Sequence, residues 1–296
     1  MDGFDGVTAA SPSWRELLGP EHAGAAIVLA AGVLAGAVNI YLASSLLPTA
    51  VADIGGAGFY AWNMTIYLVA MVIATMLVSG LLARCGNVGA YLLGFTVFLV
   101  GSLACAVSPA MPVLLAGRAV QGLGAGLLSG LGFAAVRSAL PRRLWTRGNA
   151  LMSAMYGVGN FVGPAIGGLF AQFGGWRLAF VTMAVIAAVC GLLVPRVLPG
   201  GERGGARAPV PVVSLLLGTA ATAAVSVAGV LSGAAAMAAG IAGGLLLVAG
   251  FVAYERRSEL RVFPRTTYLP GSPGGLRVLG WDTSGSVDRS RRDGPS

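Results

Sequence analysis

The feature that most constrains this chain is a series of long apolar runs separated by short polar gaps. A helix that crosses a bilayer needs about 20 mostly apolar residues. Six runs match that length: Gly24–Leu47, Phe59–Ala83, Val88–Val107, Met111–Val136, Ala150–Ala171 and Leu178–Val194. A polar break, PGGERGGARAP, follows from Pro199 to Pro209. Two more spans, built largely of Ala and Gly, fit between Val212 and Tyr254, with a turn near Ser232-Gly233. The pattern predicts an all-α polytopic helical membrane protein with about eight spans. Composition agrees: 56% of the 296 residues are hydrophobic and 10% are charged, whereas soluble domains carry roughly 25% charged residues. A water-soluble enzyme and a disordered chain are both excluded. The 46 glycines follow no collagen period, the three cysteines are widely spaced, and the single histidine offers little for metal or acid–base chemistry. No catalytic residue, metal site or cofactor is expected.

All 19 basic residues are arginines, and the formal net charge is +8. They cluster in the gaps, which marks membrane topology and not nucleic-acid binding. The gaps after the second, fourth, sixth and eighth spans hold Arg84; Arg137, Arg142, Arg143 and Arg147; Arg196, Arg203 and Arg207; and Arg256, Arg257, Arg261 and Arg265. The alternate gaps hold only Arg177. The positive-inside rule then places both termini of this multi-pass protein in the cytoplasm. The first span reads as a retained helix, because acidic residues precede it and its apolar run exceeds that of a cleaved leader. The expected organisation is a cytoplasmic segment at 1–23, six helices over 24–198, a cytoplasmic linker at 199–211, two additional helices over 212–254, and a charged link and disordered tail at 255–296.

Two helices carry unusual residues. The fourth span contains R-A-V-Q-G-L-G-A-G, Arg118 to Gly126. An arginine inside an apolar span costs at least ~2.5–3.5 kcal/mol on insertion scales, so such residues are usually buried in protein and functional. The alternative is snorkelling, because Arg118 lies about two turns from the helix end. Gly122, Gly126 and Gly130 recur at four-residue spacing and form a face on which another backbone can pack. In the fifth span, Gly159, Gly163 and Gly167 repeat the spacing, and Pro164 removes a backbone hydrogen bond. That helix reads either as a hinge or as a plain packing surface.

Together these segments resemble the major facilitator superfamily. Arg118-x-x-Gln121-Gly122-x-Gly124 is similar to its R-x-x-Q-G-x-G motif. Gly159-x-x-x-Gly163-Pro164-x-x-Gly167-Gly168 is similar to the helix 5 motif of its antiporters. Trp176-Arg177-x-x-Phe180 and Trp62-x-x-Thr65-x-Tyr67-Leu68 look like segments of its drug exporters. The resemblance covers about Gly24 to Tyr268. It implies the family's N-terminal six-helix bundle plus two extra helices, as in the fourteen-helix drug:proton antiporter branch. Glu255-Arg256-Arg257 through Phe263-Pro264 is similar to that branch's link into its second half. The chain therefore reads as an N-terminal portion only, with a C-terminal half missing.

Departures accompany the resemblance. The family's G-x-L-A-D-R-x-G-R-R motif appears as Gly80-Leu81-Leu82-Ala83-Arg84-Cys85-Gly86-Asn87-Val88, without its Asp or its trailing basic pair. Asn39, nine residues before Pro48, stands where the exporter branch carries an Asp. No Asp or Glu lies inside any span, although intramembrane acids are the usual proton carriers. Polar residues within spans include Asn39, Asn63, Tyr67, Gln121, Tyr156 and Asn160. The resemblance places Asn39, Tyr67, Arg118, Gln121, Tyr156 and Asn160 at the substrate cavity or in conformational coupling; ordinary interhelical hydrogen bonding is the alternative. Trp62 reads as an interface anchor, and Asp53 as a solvated loop residue. The implied function is export of drugs or other small molecules by alternating access, with protons as the exchanged ion. Its rival is a non-transporting membrane protein or an inactive fragment. Implied partners are the lipid bilayer, a small-molecule substrate, protons and the missing half, with no nucleic acid.

Overall fold

The computed structural model describes residues 14–198 except 21 and 174, residues 217, 220, 221, 223 and 224, and residues 234–257. Among the described residues every regular element is helical. A single turn, α1 (Trp14–Leu17), precedes α2 (Ala23–Ile54), α3 (Trp62–Ala106), α4 (Met111–Ala139), α5 (Trp145–Gln172), α6 (Trp176–Val197) and α7 (Ala234–Arg257). Ala23–Ile54, Met111–Arg137, Trp176–Val197 and Met237–Tyr254 are each long and apolar enough to cross a membrane. The linker at 199–211, most of the seventh span and the tail beyond Arg257 lie outside the described residues.

The 45-residue α3 holds the second and third spans. Its one non-helical backbone position is Gly86, at φ 66° and ψ −178°. That region is essentially closed to side-chain-bearing residues, so the chain can reverse there without a loop. The two halves of α3 then lie on opposite sides of α4. Cβ atoms added at Gly122, Gly126 and Gly130 would meet Tyr67, Met71 and Val78, all from the first half. Those added at Gly117, Gly124 and Gly94 would meet Cys105, Phe98 and Leu128, which ties the second half to α4. The glycines of α4 thus serve two interfaces, whereas the four-residue repeat alone predicts one.

Against expectation, the first helix does not stop at Pro48. α2 runs through it to Ile54, and Gly55, with φ 69°, donates its N–H back to the Val51 carbonyl. A proline inside a membrane helix is tolerated where neighbours compensate. At 32 residues α2 is about 48 Å long, well beyond a ~30 Å hydrocarbon core, so its last turns stand clear of the lipid interior.

Contacts at the ends fix the alternation of the helices. At one end, the N-terminus of α2 meets the C-terminus of α6, where a Cβ on Gly24 would touch Val197. Glu16 pairs with Arg143 at 2.5 Å, and Leu17 is fully buried in the core there. The segment before the first span is therefore partly docked onto the α4–α5 connection. At the other end Asp53, Ser108 and Arg177 come together.

Candidate functional site

Arg118 sits in the second turn of α4, and no part of it is exposed. Snorkelling is ruled out: its Nη1 donates to Oε1 of Gln121 at 2.7 Å, inside the bundle. The two residues are three apart on one helix face, the spacing at which side chains meet. Gln121 passes the bond on, its Nε2 donating to Ser102 Oγ on α3 at 2.7 Å. Ser102 in turn donates to the Phe98 carbonyl at 2.8 Å. The approach is close because Gly101 has no side chain; a Cβ there would clash with the Gln121 backbone. Sequence reasoning missed Ser102, since a serine in an apolar run carries no signal of its own.

The guanidinium lies over the Tyr67 ring, 4.0 Å from its centroid. A desolvated contact of this kind is worth ~2 kcal/mol or more. The Tyr67 hydroxyl crosses to α2 and donates to the Gly36 carbonyl at 3.1 Å. Beside it lies Asn39, fully buried, whose amide atoms make no hydrogen bond of good geometry. Nε and Nη2 of Arg118 are likewise buried without an acceptor. Each such group costs about 1–3 kcal/mol.

Four of the six expected residues, Asn39, Tyr67, Arg118 and Gln121, thus converge between α2, α3 and α4. Tyr156 of α5 lies within electrostatic reach of Tyr67. Asn160 does not join them: it is exposed on α5. The helix 5 motif splits by face. Gly159, Gly163 and Gly167 are buried against Ala37, Val38, Tyr41, Leu42 and Ser45 of α2. Pro164 is exposed, and a Cβ on Gly168 would meet nothing within 4 Å. In the helix 4 motif, Gly122 abuts the Tyr67 carbonyl and Gly124 abuts Phe98.

The expectation that Asp53 is merely solvated fails. It accepts hydrogen bonds from Arg177 and from Trp176 Nε1, the latter at 3.1 Å. Arg177 also donates to the Ser108 carbonyl at 3.2 Å and stacks 4.2 Å from the Trp176 ring centroid. One carboxylate thereby ties together α2, α6 and the α3–α4 connection. The first of the two hydrogen bonds to count is that from Arg177, which with Trp176 holds the Asp53 carboxyl below its ordinary value.

The model of one family, described as Major Facilitator Superfamily, matches residues 28–214. The chain belongs to the major facilitator superfamily. It is 48% identical over 266 residues to a probable multidrug-efflux transporter of Mycobacterium tuberculosis strain H37Rv, a match covering 88% of this chain and 56% of that protein. It is 27% identical over 158 residues to the multidrug efflux pump SdrM of Staphylococcus aureus, covering 53% of this chain and 35% of the pump. The chain thus spans about half the length of the curated relatives it matches. Among solved structures, the crystal structure of the POT family transporter PepTSo superposes with a TM-score of 0.57 at 15% identity, covering 90% of this chain and 58% of that one. That likeness shows the major facilitator fold, and the protein is a multi-pass membrane protein.

Proposed function

We propose that this chain supplies the N-terminal wall of an exporter of drugs or other small molecules. Transport would proceed by alternating access about a site between two halves. The observation that carries the reading is the buried Arg118–Gln121–Ser102 chain stacked on Tyr67, with two guanidinium nitrogens left free of acceptors. It joins three helices by polar contacts whose rearrangement would move them together. The kinship to a probable multidrug-efflux transporter supplies the substrate class. The proposed organisation is a six-helix bundle over 24–198, a linker at 199–211, two added helices over 212–254 and a cytoplasmic link beyond. Both termini would face the cytoplasm, at the arginine-rich end, and the membrane would be the inner (plasma) membrane. Asn39, Tyr67, Arg118, Gln121 and Tyr156 would serve coupling or the cavity. Asn160, Pro164 and Gly168 would face the second half.

The apolar runs read as spans contain no Asp or Glu, and Asp53 of α2 lies in that helix's last turn, beyond its apolar run. If the cycle exchanges a proton, the carboxylate that carries it must come from the facing half. The test joins this chain through Arg257 to the remaining C-terminal part of the 48%-identical relative. Purified protein is placed in vesicles with an imposed pH gradient and a fluorescent cationic dye. The expected result is gradient-dependent dye movement by the fusion, lost in its Arg118→Ala variant and absent with the 296-residue chain alone. Dye movement by the chain alone, abolished by Arg118→Ala, would show that one half suffices. A folded fusion that moves no dye would overturn the exporter reading.

A further inference from the structure

The arginines at the Glu16–Arg143 end are not equivalent. Arg143 is paired with Glu16, and Arg147 lies 5.0 Å from the centroid of the Trp14 ring. The docked N-terminal turn therefore occupies both. Arg137, in the last turn of α4, and Arg142, in the 3-10 turn that follows, converge elsewhere. Both guanidiniums stand over the same indole, that of Trp145, at 5.8 and 5.6 Å from its centroid. Trp145 is held in place by its Nε1, which donates to the Leu140 carbonyl at 3.0 Å. Both arginines are exposed, and neither meets a carboxylate among the described residues.

Depth identifies what lies opposite them. α4 has 29 residues, so it is about 43 Å long and overruns a ~30 Å hydrocarbon core. Arg137 lies nineteen residues beyond Arg118, roughly 28 Å along the axis. With Arg118 buried near the other end, Arg137, Arg142 and Trp145 fall at headgroup level. Tryptophan is favoured there because its ring is apolar and its N–H is polar. Two exposed positive charges beside one ring favour a bridging anion. A guanidinium fork matches phosphate oxygens, and it can offer that edge while its face stays on the indole.

We propose that Arg137, Arg142 and Trp145 form a binding site for the phosphate of an anionic phospholipid, at the bilayer surface beside the α4–α5 connection. The two guanidiniums clamp the phosphodiester, Trp145 supports the glycerol region, and the acyl chains lie along the outer faces of α4 and α5. Anionic headgroups are held at such basic sites through charge and hydrogen bonds together. The site is independent of transport and of which side of the membrane this end faces.

The test uses the full chain purified in detergent and titrated with phosphatidylglycerol or phosphatidylcholine, with bound lipid read by native mass spectrometry. Phosphatidylglycerol should be retained preferentially. The Arg137→Gln/Arg142→Gln double variant should lose on the order of tenfold or more in that affinity. An Arg84→Gln/Arg196→Gln variant removes the same charge from the same end of the bundle and should keep it. Inorganic phosphate in large excess should fail to displace the lipid. Equal retention of the two lipids, equal losses in the two double variants, or ready displacement by inorganic phosphate would each overturn the proposal.

Discussion

Asp53 shows how one carboxylate can matter at the rim of a membrane bundle. Its partners Arg177 and Trp176 hold its carboxyl below the usual 3.8. The unfolded chain therefore binds that proton more readily than the folded one, and stability rises with pH through this group. The contribution is complete above the unfolded value, near pH 4, and is lost as pH falls through the lower folded value. Both side chains are nearly half exposed, 48% for Asp53 and 42% for Arg177, so solvent and salt weaken the pair. Asp53→Asn should lower the thermal midpoint modestly at pH 7 and low salt, as read by scanning fluorimetry. The gap to the wild type should close as the pH drops below about 4. A gap unchanged at pH 3 would mean that Asp53 acts through packing alone. Nothing in the sequence joins Asp53 to Arg177, more than a hundred residues apart, and so a solvated loop was the natural reading. Arg118 was legible for the opposite reason: a charge inside an apolar run has few ways to exist.

At the scale of helices, the fifth span carries its assembly information in one stripe. A Cβ on Gly163 would stand 2.8 Å from both the Tyr41 Cβ and the Val38 carbonyl oxygen. Backbone cannot retreat as a flexible side chain can, so Gly163→Leu should destabilise the bundle by about 1–3 kcal/mol or more. Val158 is 40% exposed on the same helix, and Val158→Leu should stay within about 0.5 kcal/mol. The comparison is made by the detergent or heat resistance of the purified variants, and equal tolerance at both sites would remove the packing assignment. The four-residue glycine period makes this stripe readable in the sequence, although not its partner, α2. Other boundaries were less readable because local rules yield to the membrane. Pro48 would end a helix in water but not in α2. The turn between the two halves of α3 needs only Gly86, so the expected gap from Arg84 to Asn87 is continuous with its helices.

At the scale of the whole molecule, arginine placement and geometry describe the same alternation. Glu16–Arg143 and the Gly24–Val197 approach mark one end of the bundle. Asp53 with Arg177 and Ser108 marks the other. Arg137, Arg142, Arg143 and Arg147, which follow the fourth span, belong to the first end, and Arg177, the exception, is held by an acid at the second. About eight spans can be read from the sequence because each crossing demands about 20 apolar residues and the arginines gather in alternate gaps. Packing supplies what those rules omit, the choice of neighbours: α4 between the halves of α3, and α5 along α2. The proposed orientation puts the arginine-rich end in the cytoplasm, and Cys85, beside the Gly86 turn, reports on it. Cys105 is fully buried and Cys190 lies within α6, so Cys85 is the cysteine nearest an aqueous face. A membrane-impermeant maleimide should leave Cys85 unlabelled in intact cells. It should label Cys85 in inside-out vesicles, with the signal lost in Cys85→Ser. Labelling of intact cells that disappears in Cys85→Ser would invert the topology. The arginine-rich end would then face outward, against the bias that governs insertion.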